Sequence, residues 1–163
     1  MSRLNNIHEK IFSQDQLRSR LNMWRFLENK IVFTNGCFDI IHLGHIDYLA
    51  KAADLGDKLI IGLNSDKSTR MIKGPNRPIT DESSRSIILA SFSFVDAVVL
   101  FDEETPFELI KAVIPDILVK GADYSIDQIV GADIVVQNGG RVQTLNYLPG
   151  YSTTLIEQKI KVQ

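Results

Sequence analysis

Five short apolar runs divide the chain, and the segments between them carry apolar residues at every third or fourth position. The runs fall at residues 31–34, 58–63, 95–101, 116–120 and 141–145. Because each run is almost continuously apolar, we expect buried strands with both faces covered, as in a parallel sheet. The intervening segments would form the covering helices. The pattern therefore predicts an α/β fold, a three-layer sandwich around a five-stranded parallel sheet.

A further helix is predicted before the first run. Ser13 and Gln16 have capping-box spacing, and large apolar residues then recur on one helical face. We expect residues 1–29 to form an N-terminal helical extension and residues 30–163 to form the main domain. Because the extension is mildly basic, it could lie on a membrane surface. Packing of its apolar face on the same domain or on a partner subunit is the preferred interpretation.

The first strand ends in a polar turn that is followed by two histidines. Asn35-Gly36 turns the chain, and His42 and His45 then lie on one face of the first turn of a helix. A helix start presents unpaired N–H groups and the positive end of the helix dipole, and both favour an anion. Gly44 lacks a side chain, so a large anion could approach the backbone. This stretch predicts a site for a nucleotide phosphate.

Two alternatives compete with the phosphate site. Either histidine alone is more often a helix cap or a packed ring than a ligand-binding group. A zinc site is conceivable, because Cys37 and Asp39 lie nearby and His-x-x-His spacing can bind zinc. The only other histidine in the sequence is His8, which leaves few ligands to complete such a site. A pair of histidines behind a glycine turn therefore favours the anion site.

Composition narrows the range of partners. The 163 residues carry 18 Lys and Arg against 20 Asp and Glu, a net charge of -2 at pH 7. That balance favours neither nucleic acid nor a membrane surface as a general partner, so any anion site must be local. The single cysteine excludes an internal disulfide, and the N-terminus lacks the apolar segment of a signal peptide. We expect a cytoplasmic protein with Cys37 reduced.

Cations and hydroxyl groups suited to a triphosphate follow the predicted strands or begin the predicted helices. They are His42, His45, Lys73, Arg77, Arg85, Lys120, Ser152, Thr153 and Thr154. Individually, the lysines and arginines are more often solvated surface charges, but loops after parallel strands meet at one edge of the sheet. A redox function is not indicated, because the first turn has neither the G-x-G-x-x-G pattern of dinucleotide enzymes nor a Walker A sequence.

The stretch after the first strand resembles a known family. The run GCFD at residues 36–39, followed by HLGH at residues 42–45, is similar to the signature of the cytidylyltransferase-like nucleotidyltransferases. In that family the HxGH histidines bind the phosphates of a nucleoside triphosphate. The resemblance covers about residues 30–161 and implies a Rossmann-like fold of the HxGH nucleotidyltransferase type. Its further motifs lie at residues 64–66, 73–78, 118–124, 138–140 and 150–154.

Within the family, these motifs are most similar to the branch that makes ADP-heptose from a heptose 1-phosphate and is often fused to a sugar kinase. The kinase part is absent from this sequence, so a separate heptose kinase is an expected pathway partner. The glycerol-phosphate branch carries an Arg-Thr pair just before its Ser-Thr motif, whereas residues 146–149 here read NYLP. This difference counts against glycerol 3-phosphate. A cytidylyltransferase for that or another alcohol or sugar phosphate, and a noncatalytic nucleotide-binding module, are the alternatives.

The resemblance also implies residue roles. The catalytic residues would be His42, His45 and Lys73. The acceptor contacts would be Asn64, Asp66 and Arg85. The nucleotide-binding residues would be Asn35, Gly36, Phe38, Asp39, Gly44, Arg77, Lys120, Gly121, Asp123, Ser152, Thr153 and Thr154. ATP is the implied co-substrate, with Mg²⁺ bridging its phosphates without a firm protein ligand. We expect a homo-oligomer that acts on small molecules and binds neither nucleic acid nor membranes.

Overall fold

Six strands form one parallel sheet in the computed structural model, which describes residues 2–123, 125 and 128–161. Tyr124, in the motif at residues 118–124, lies outside the described residues. The strands are β1 Ile11–Phe12, β2 Ile31–Gly36, β3 Lys58–Asn64, β4 Ala97–Phe101, β5 Ile117–Gly121 and β6 Arg141–Leu145. They lie in the order β1-β4-β3-β2-β5-β6, and every neighbouring pair is parallel.

Helices cover both faces of this sheet. Those in the described part of the chain are α1 Arg3–His8, α2 Gln14–Phe26, α3 Leu43–Ala53, α4 Asp66–Lys73, α5 Glu82–Ser91, α6 Phe107–Val113, α7 Ala132–Gln137 and α8 Thr153–Lys161. Buried residues of α2, α6 and α7 pack on one face, and those of α3 and α5 pack on the other. Successive residues of β2 alternate accordingly, with Ile31 and Phe33 in the first cluster and Val32 in the second. The predicted α/β sandwich is confirmed.

The N-terminal residues contribute to the same sheet. Strand β1 pairs with β4 through Ile11 and Val98, which makes a sixth strand where the apolar pattern predicted five. A strand of two residues is too short to show a period. The capping box of α2 forms as predicted, and Leu17, Leu21 and Trp24 are buried in the core. The division of the chain at residue 30 stays a prediction.

Two helices have local features that the apolar pattern did not predict. Helix α6 begins after Pro106, and no side chain caps it. Helix α4 was not predicted, because its sequence DKSTRMIK has only two apolar residues, Met71 and Ile72, and both are exposed, whereas its buried side chains are the polar Ser68 and Thr69. Its start is nevertheless capped, since the Ser65 hydroxyl accepts a hydrogen bond from the Ser68 N–H at 3.1 Å.

The strand order reverses at β2. The chain passes from β2 to β3 and β4 on one side, whereas β5 and β6 lie on the other. In open parallel sheets, ligands bind beyond the carboxyl ends of the strands at such a reversal. The topology therefore places the turn after β2 at the expected binding position. Among the described helices, none combines the length and the apolar character needed to cross a membrane.

Candidate active site

A crevice of about 490 Å³ lies beyond the carboxyl ends of the strands. It is lined by Asn35, Gly36, Cys37, Phe38, His45, Tyr48, Asn64, Ile72, Lys73, Glu104, Thr105, Pro106, Lys120, Gly121, Gln128, Ile129, Val130 and Tyr147. Eight of these are residues that the sequence predicted for the site. They are Asn35, Gly36, Phe38, His45, Asn64, Lys73, Lys120 and Gly121. The turn after β2 thus lines the crevice together with residues from both sides of the reversal.

The loop between β2 and α3 has an unusual backbone. Phe38 and Ile40 have φ angles of 47° and 48°, so both adopt the left-handed conformation. For residues other than glycine, this costs of order 1–3 kcal/mol each and persists only where the surroundings enforce it. Asp39, between them, supplies the constraint: its buried carboxylate accepts hydrogen bonds from the Ile79 N–H at 2.8 Å and the Thr80 N–H at 2.9 Å.

Arg77 connects the same loop to α8. Its guanidinium donates to the Asp39 carboxylate at 2.9 Å and also forms an ion pair with Glu157 of α8. Although burial opposes the shift, two backbone N–H groups and Arg77 lower the pKa of Asp39. The Thr153 hydroxyl, at the start of α8, donates to the backbone carbonyl of Asp39 at 3.1 Å. These contacts hold the start of α8 against the histidine loop. Arg77 itself does not line the crevice, so its predicted contact with the nucleotide stays a prediction.

The two histidines are oriented by the backbone at the start of α3. The Nδ1 of His42, the N-cap residue, accepts a hydrogen bond from the Gly44 N–H at 3.1 Å. The His42 N–H in turn donates to Nδ1 of His45 at 3.4 Å, and the two rings stack with their centroids 3.9 Å apart. Because each Nδ1 is an acceptor, each neutral imidazole carries its proton on Nε2.

The environment keeps these rings neutral. Burial lowers the pKa of His42. Burial, together with the nearby charges of His42 and Lys73, lowers the pKa of His45 to about 4, against a smaller opposing effect of Asp39. At pH 7 the site therefore offers uncharged N–H donors. An anion bound there would be stabilised by hydrogen bonds from the rings, by the helix dipole and by the lysines.

The titration of His45 gives a first testable prediction. Its pKa near 4 in the folded protein lies below the value of about 6.5 for an unfolded histidine, so between these values the unfolded state binds more protons. Stability should therefore fall as the pH falls through that window. Long-range proton–nitrogen NMR of the imidazoles would give the pKa and the tautomer, and urea unfolding at several pH values would give the stability.

His45→Asn is the matched variant, because it removes the titrating ring and should flatten the dependence of stability on pH. A His45 midpoint above about 6, or a neutral ring protonated on Nδ1, would contradict the assignment.

Two lysines reach the crevice from either side of β2. Lys73 is the last residue of α4, which follows β3, and Lys120 lies in β5. The Lys120 ammonium donates a hydrogen bond to Oδ1 of Asn35, and burial lowers the pKa of Lys120 to about 8. Lys120 therefore remains mainly protonated at pH 7. The charges flank the histidine turn, where a polyphosphate would need them.

Arg85 and Asp66, which were predicted to contact the acceptor, form a hydrogen bond to each other instead of lining the crevice. Arg85 is 0% exposed, and its guanidinium donates to the backbone carbonyls of Thr80, Cys37 and Asn64 and to the Asp66 carboxylate. Both residues are outside the crevice lining. The structure therefore corrects the prediction for Arg85, which joins the turn after β2, the end of β3 and the segment before α5. A contact of the partly exposed Asp66 with the acceptor stays a prediction.

Other predicted nucleotide-binding residues lie outside the crevice wall. Gly44 is buried, and a Cβ there would lie 3.0 Å from the His42 imidazole, so the tight histidine turn favours glycine. The Ser152 hydroxyl caps its own helix. Asp123 and Thr154 are exposed residues that do not line the crevice. Contacts from this group to a nucleotide stay predictions.

The crevice also contains residues that the sequence did not single out. The rings of Tyr48 and Tyr147 lie 5.8 Å apart, and a Cβ at Gly121 would come within 1.9 Å of the Tyr147 hydroxyl. Glu104 and Thr105 enter from the loop after β4. Since these loops follow strand ends, position alone could have pointed to Glu104 and Tyr147. Their residue types gave no such signal.

Comparisons with known proteins agree with this geometry. Residues 33–159 match the cytidylyltransferase-like family. The chain is 47% identical over 152 residues to the bifunctional protein HldE of Methylobacillus flagellatus, and 52% identical over 156 residues to HldE of Campylobacter jejuni subsp. doylei. The alignments cover 93% and 96% of this chain but 31% and 32% of the relatives. The chain thus spans about a third of the length of these relatives.

Two solved structures have a similar fold. A lipopolysaccharide core biosynthesis protein from Thermoplasma volcanium is 32% identical with a TM-score of 0.60, and the match covers 74% of this chain and 97% of that one. A pantoate-beta-alanine ligase from Francisella tularensis has a TM-score of 0.61 at 16% identity, with 93% and 77% of the two chains covered. At that identity, the ligase shows a shared fold alone.

Proposed function

The chain belongs to the cytidylyltransferase-like family, and from this membership we propose that it transfers AMP from ATP to a heptose 1-phosphate, forming ADP-heptose and pyrophosphate. The observation that carries the proposal is the stacked pair His42 and His45, held with Nε2–H donors at a helix start beside the crevice. Support for the heptose acceptor comes from the motif resemblance at residues 64–66 and 150–154 and from the similarity to HldE.

The crevice suits a nucleoside triphosphate. Lys73, Lys120 and His45 provide donors to its phosphates from the two sides and the centre of the crevice. The exposed ring of Tyr147, at the end of β6, offers an aromatic surface on which a base could stack. We therefore assign the β5 and β6 side of the crevice to the nucleoside and its centre to the triphosphate.

The reaction needs positioning more than proton transfer. An oxygen of the acceptor phosphate attacks the α-phosphorus of ATP in line, the bond from that phosphorus to the bridging oxygen breaks, and pyrophosphate leaves. A phosphate monoester is largely ionised at pH 7, since its second pKa is about 6, so no general base is required. The chain's contribution is to align the two reactants and to stabilise the charge that develops on the leaving pyrophosphate. Neutral N–H donors at His42 and His45 fit that role.

Magnesium would accompany the triphosphate rather than occupy a protein cage. Among the described residues, no group of three or more His, Cys, Asp or Glu side chains could hold a metal ion, and Glu104 is the one carboxylate in the crevice wall. Mg²⁺ is commonly held by substrate phosphates and water with few protein ligands, so the site fits this mode. When bound, the ion would neutralise charge on the phosphates. Lys73 and Lys120 would supply the remaining charge.

A substrate screen tests the proposal. Purified protein with Mg²⁺ and either ATP or CTP is incubated with a set of sugar 1-phosphates and with glycerol 3-phosphate, and pyrophosphate and product masses are recorded. We expect the fastest turnover with ATP and a heptose 1-phosphate. Faster turnover with CTP and glycerol 3-phosphate would reject the proposal. Binding of ATP with no pyrophosphate from any acceptor would instead indicate a noncatalytic nucleotide-binding module.

A further inference from the structure

We propose that Glu104 binds hydroxyl groups of the acceptor sugar, which places the sugar at the β4 side of the crevice. The inference rests on the proposed function and adds a residue that determines acceptor specificity. Glu104 follows β4 by three residues and contributes its exposed carboxylate to the crevice wall. Within the described part of the chain, no side chain or backbone group forms a hydrogen bond or ion pair with that carboxylate.

The loop that carries Glu104 is fixed by buried polar groups. The amide of Asn64, at the end of β3, donates to the Ser68 hydroxyl at 2.9 Å, and that hydroxyl donates to the backbone carbonyl of Glu103 at 2.6 Å. Asn64 and Ser68 are 3% and 0% exposed. Hydrogen bonds that are buried and satisfied hold their partners in one arrangement. The backbone next to Glu104 is therefore positioned by the sheet, although the loop itself is on the surface.

Charge decides which part of the substrates can approach Glu104. A carboxylate repels phosphate oxygens, whereas the cations of the crevice wall, Lys73 at the end of α4 and Lys120 in β5, attract them. The triphosphate should therefore lie over the lysines and the histidine turn, and the uncharged part of a substrate should lie beside Glu104. If Tyr147 contacts the base at the opposite side, the ribose, which is bonded to the base, lies at that side too, and the remaining uncharged group is the acceptor sugar.

The chemistry of the carboxylate agrees with this placement. An ionised carboxylate is an acceptor with two oxygens and can take hydrogen bonds from two neighbouring hydroxyl groups at once. Hydrogen bonds to a charged acceptor are roughly twice as strong as those between neutral groups. A polyhydroxylated sugar offers pairs of adjacent hydroxyls, whereas a phosphate dianion offers no donor. Glu104 would thus orient the sugar while the lysines and histidines hold the phosphates.

Glu104→Ala tests the inference in steady-state kinetics. The acceptor is whichever sugar 1-phosphate the wild-type protein uses fastest, so the comparison stands even if the heptose assignment fails. We expect the KM for that acceptor to rise about 10- to 100-fold, as follows from losing hydrogen bonds to a charged group. The KM for ATP and kcat should change little. Glu104→Gln, which keeps one acceptor oxygen, should fall between the two.

Glu108→Ala is the matched control, because Glu108 is an exposed carboxylate on α6 outside the crevice and its loss should leave both KM values unchanged. Acceptors that lack single hydroxyls sharpen the test: the analogue missing the contacted hydroxyl should lose less on Glu104→Ala than the parent sugar does. An unchanged acceptor KM overturns the inference. So does a lower KM for ATP, which would place Glu104 beside the triphosphate, or a raised Mg²⁺ requirement, which would make it a metal ligand. If none of the sugar phosphates supports activity, both the inference and the proposed function are overturned.

Discussion

His45→Ala should lower kcat by about 10²- to 10³-fold, corresponding to about 2.7 to 4 kcal/mol, by analogy with the loss of one oxyanion-hole donor. The His45 ring is held by the His42 N–H and stacks on the His42 ring, so its Nε2–H has a fixed direction before substrate binds. A donor prepared in this way strengthens as charge moves onto the leaving pyrophosphate. Only interactions that are stronger in the transition state raise the rate, so kcat should fall more than ATP affinity. Steady-state kinetics and ATP titration calorimetry would measure both.

His8→Ala is the control, since it removes an exposed imidazole at the end of α1 that does not line the crevice. His45→Asn can present one N–H donor and should retain part of the activity that alanine loses. Thermal unfolding separates catalysis from folding: the His45 side chain accepts a hydrogen bond from the His42 N–H in the capping box of α3, so its truncation should cost at most about 2 kcal/mol. A destabilised His45→Ala protein with near-wild-type kcat would show that the ring is structural and would exclude the catalytic role.

The sequence predicted the layers of the fold because they depend on patterns that continue over many residues. Five strands and their covering helices have apolar runs long enough to recognise, and the site turn combines glycine, two histidines and a strand end in one stretch. Strand β1 and helix α4 were not predicted, because neither has an apolar run of this kind. β1 is two residues long, and α4 buries the polar Ser68 and Thr69 while its two apolar residues, Met71 and Ile72, are exposed. Both are positioned by tertiary contacts instead of by local pattern.

Within the site, the sequence identified residue types more reliably than their orientation. Lys120 and His45 line the crevice because they lie at a strand end and a helix start, and Lys73 lines it from the end of α4. Arg77 is also a cation in a loop that was predicted to face the crevice, yet its guanidinium is directed to Asp39 and Glu157. No pattern in the sequence connects residue 77 with residue 157. Which charge faces a ligand and which joins two loops depends on packing that only the folded chain reveals.

Arg85→Ala should lower the free energy of unfolding by about 3 to 5 kcal/mol, the range for removing one partner of a buried ion pair. Arg85 has no exposed surface, and its loss would leave Asp66 and the carbonyls of Cys37, Thr80 and Asn64 without this donor. Burying unpaired acceptors accounts for much of the expected cost. Urea unfolding measures the change, and Arg70→Ala, which removes an exposed arginine from α4, should have little effect.

Arg85→Lys separates the structural role from a contact with the acceptor. Lysine keeps the positive charge but lacks the planar fork that allows one guanidinium to serve a carboxylate and several carbonyls. We therefore expect an intermediate loss of stability, and a drop in kcat in the protein that remains folded, because Arg85 fixes the carbonyl of Cys37 beside the histidine turn. The KM values for ATP and acceptor should change together. Wild-type stability with a raised KM for the acceptor alone would show that Arg85 reaches the sugar phosphate, and would restore the role that the sequence suggested.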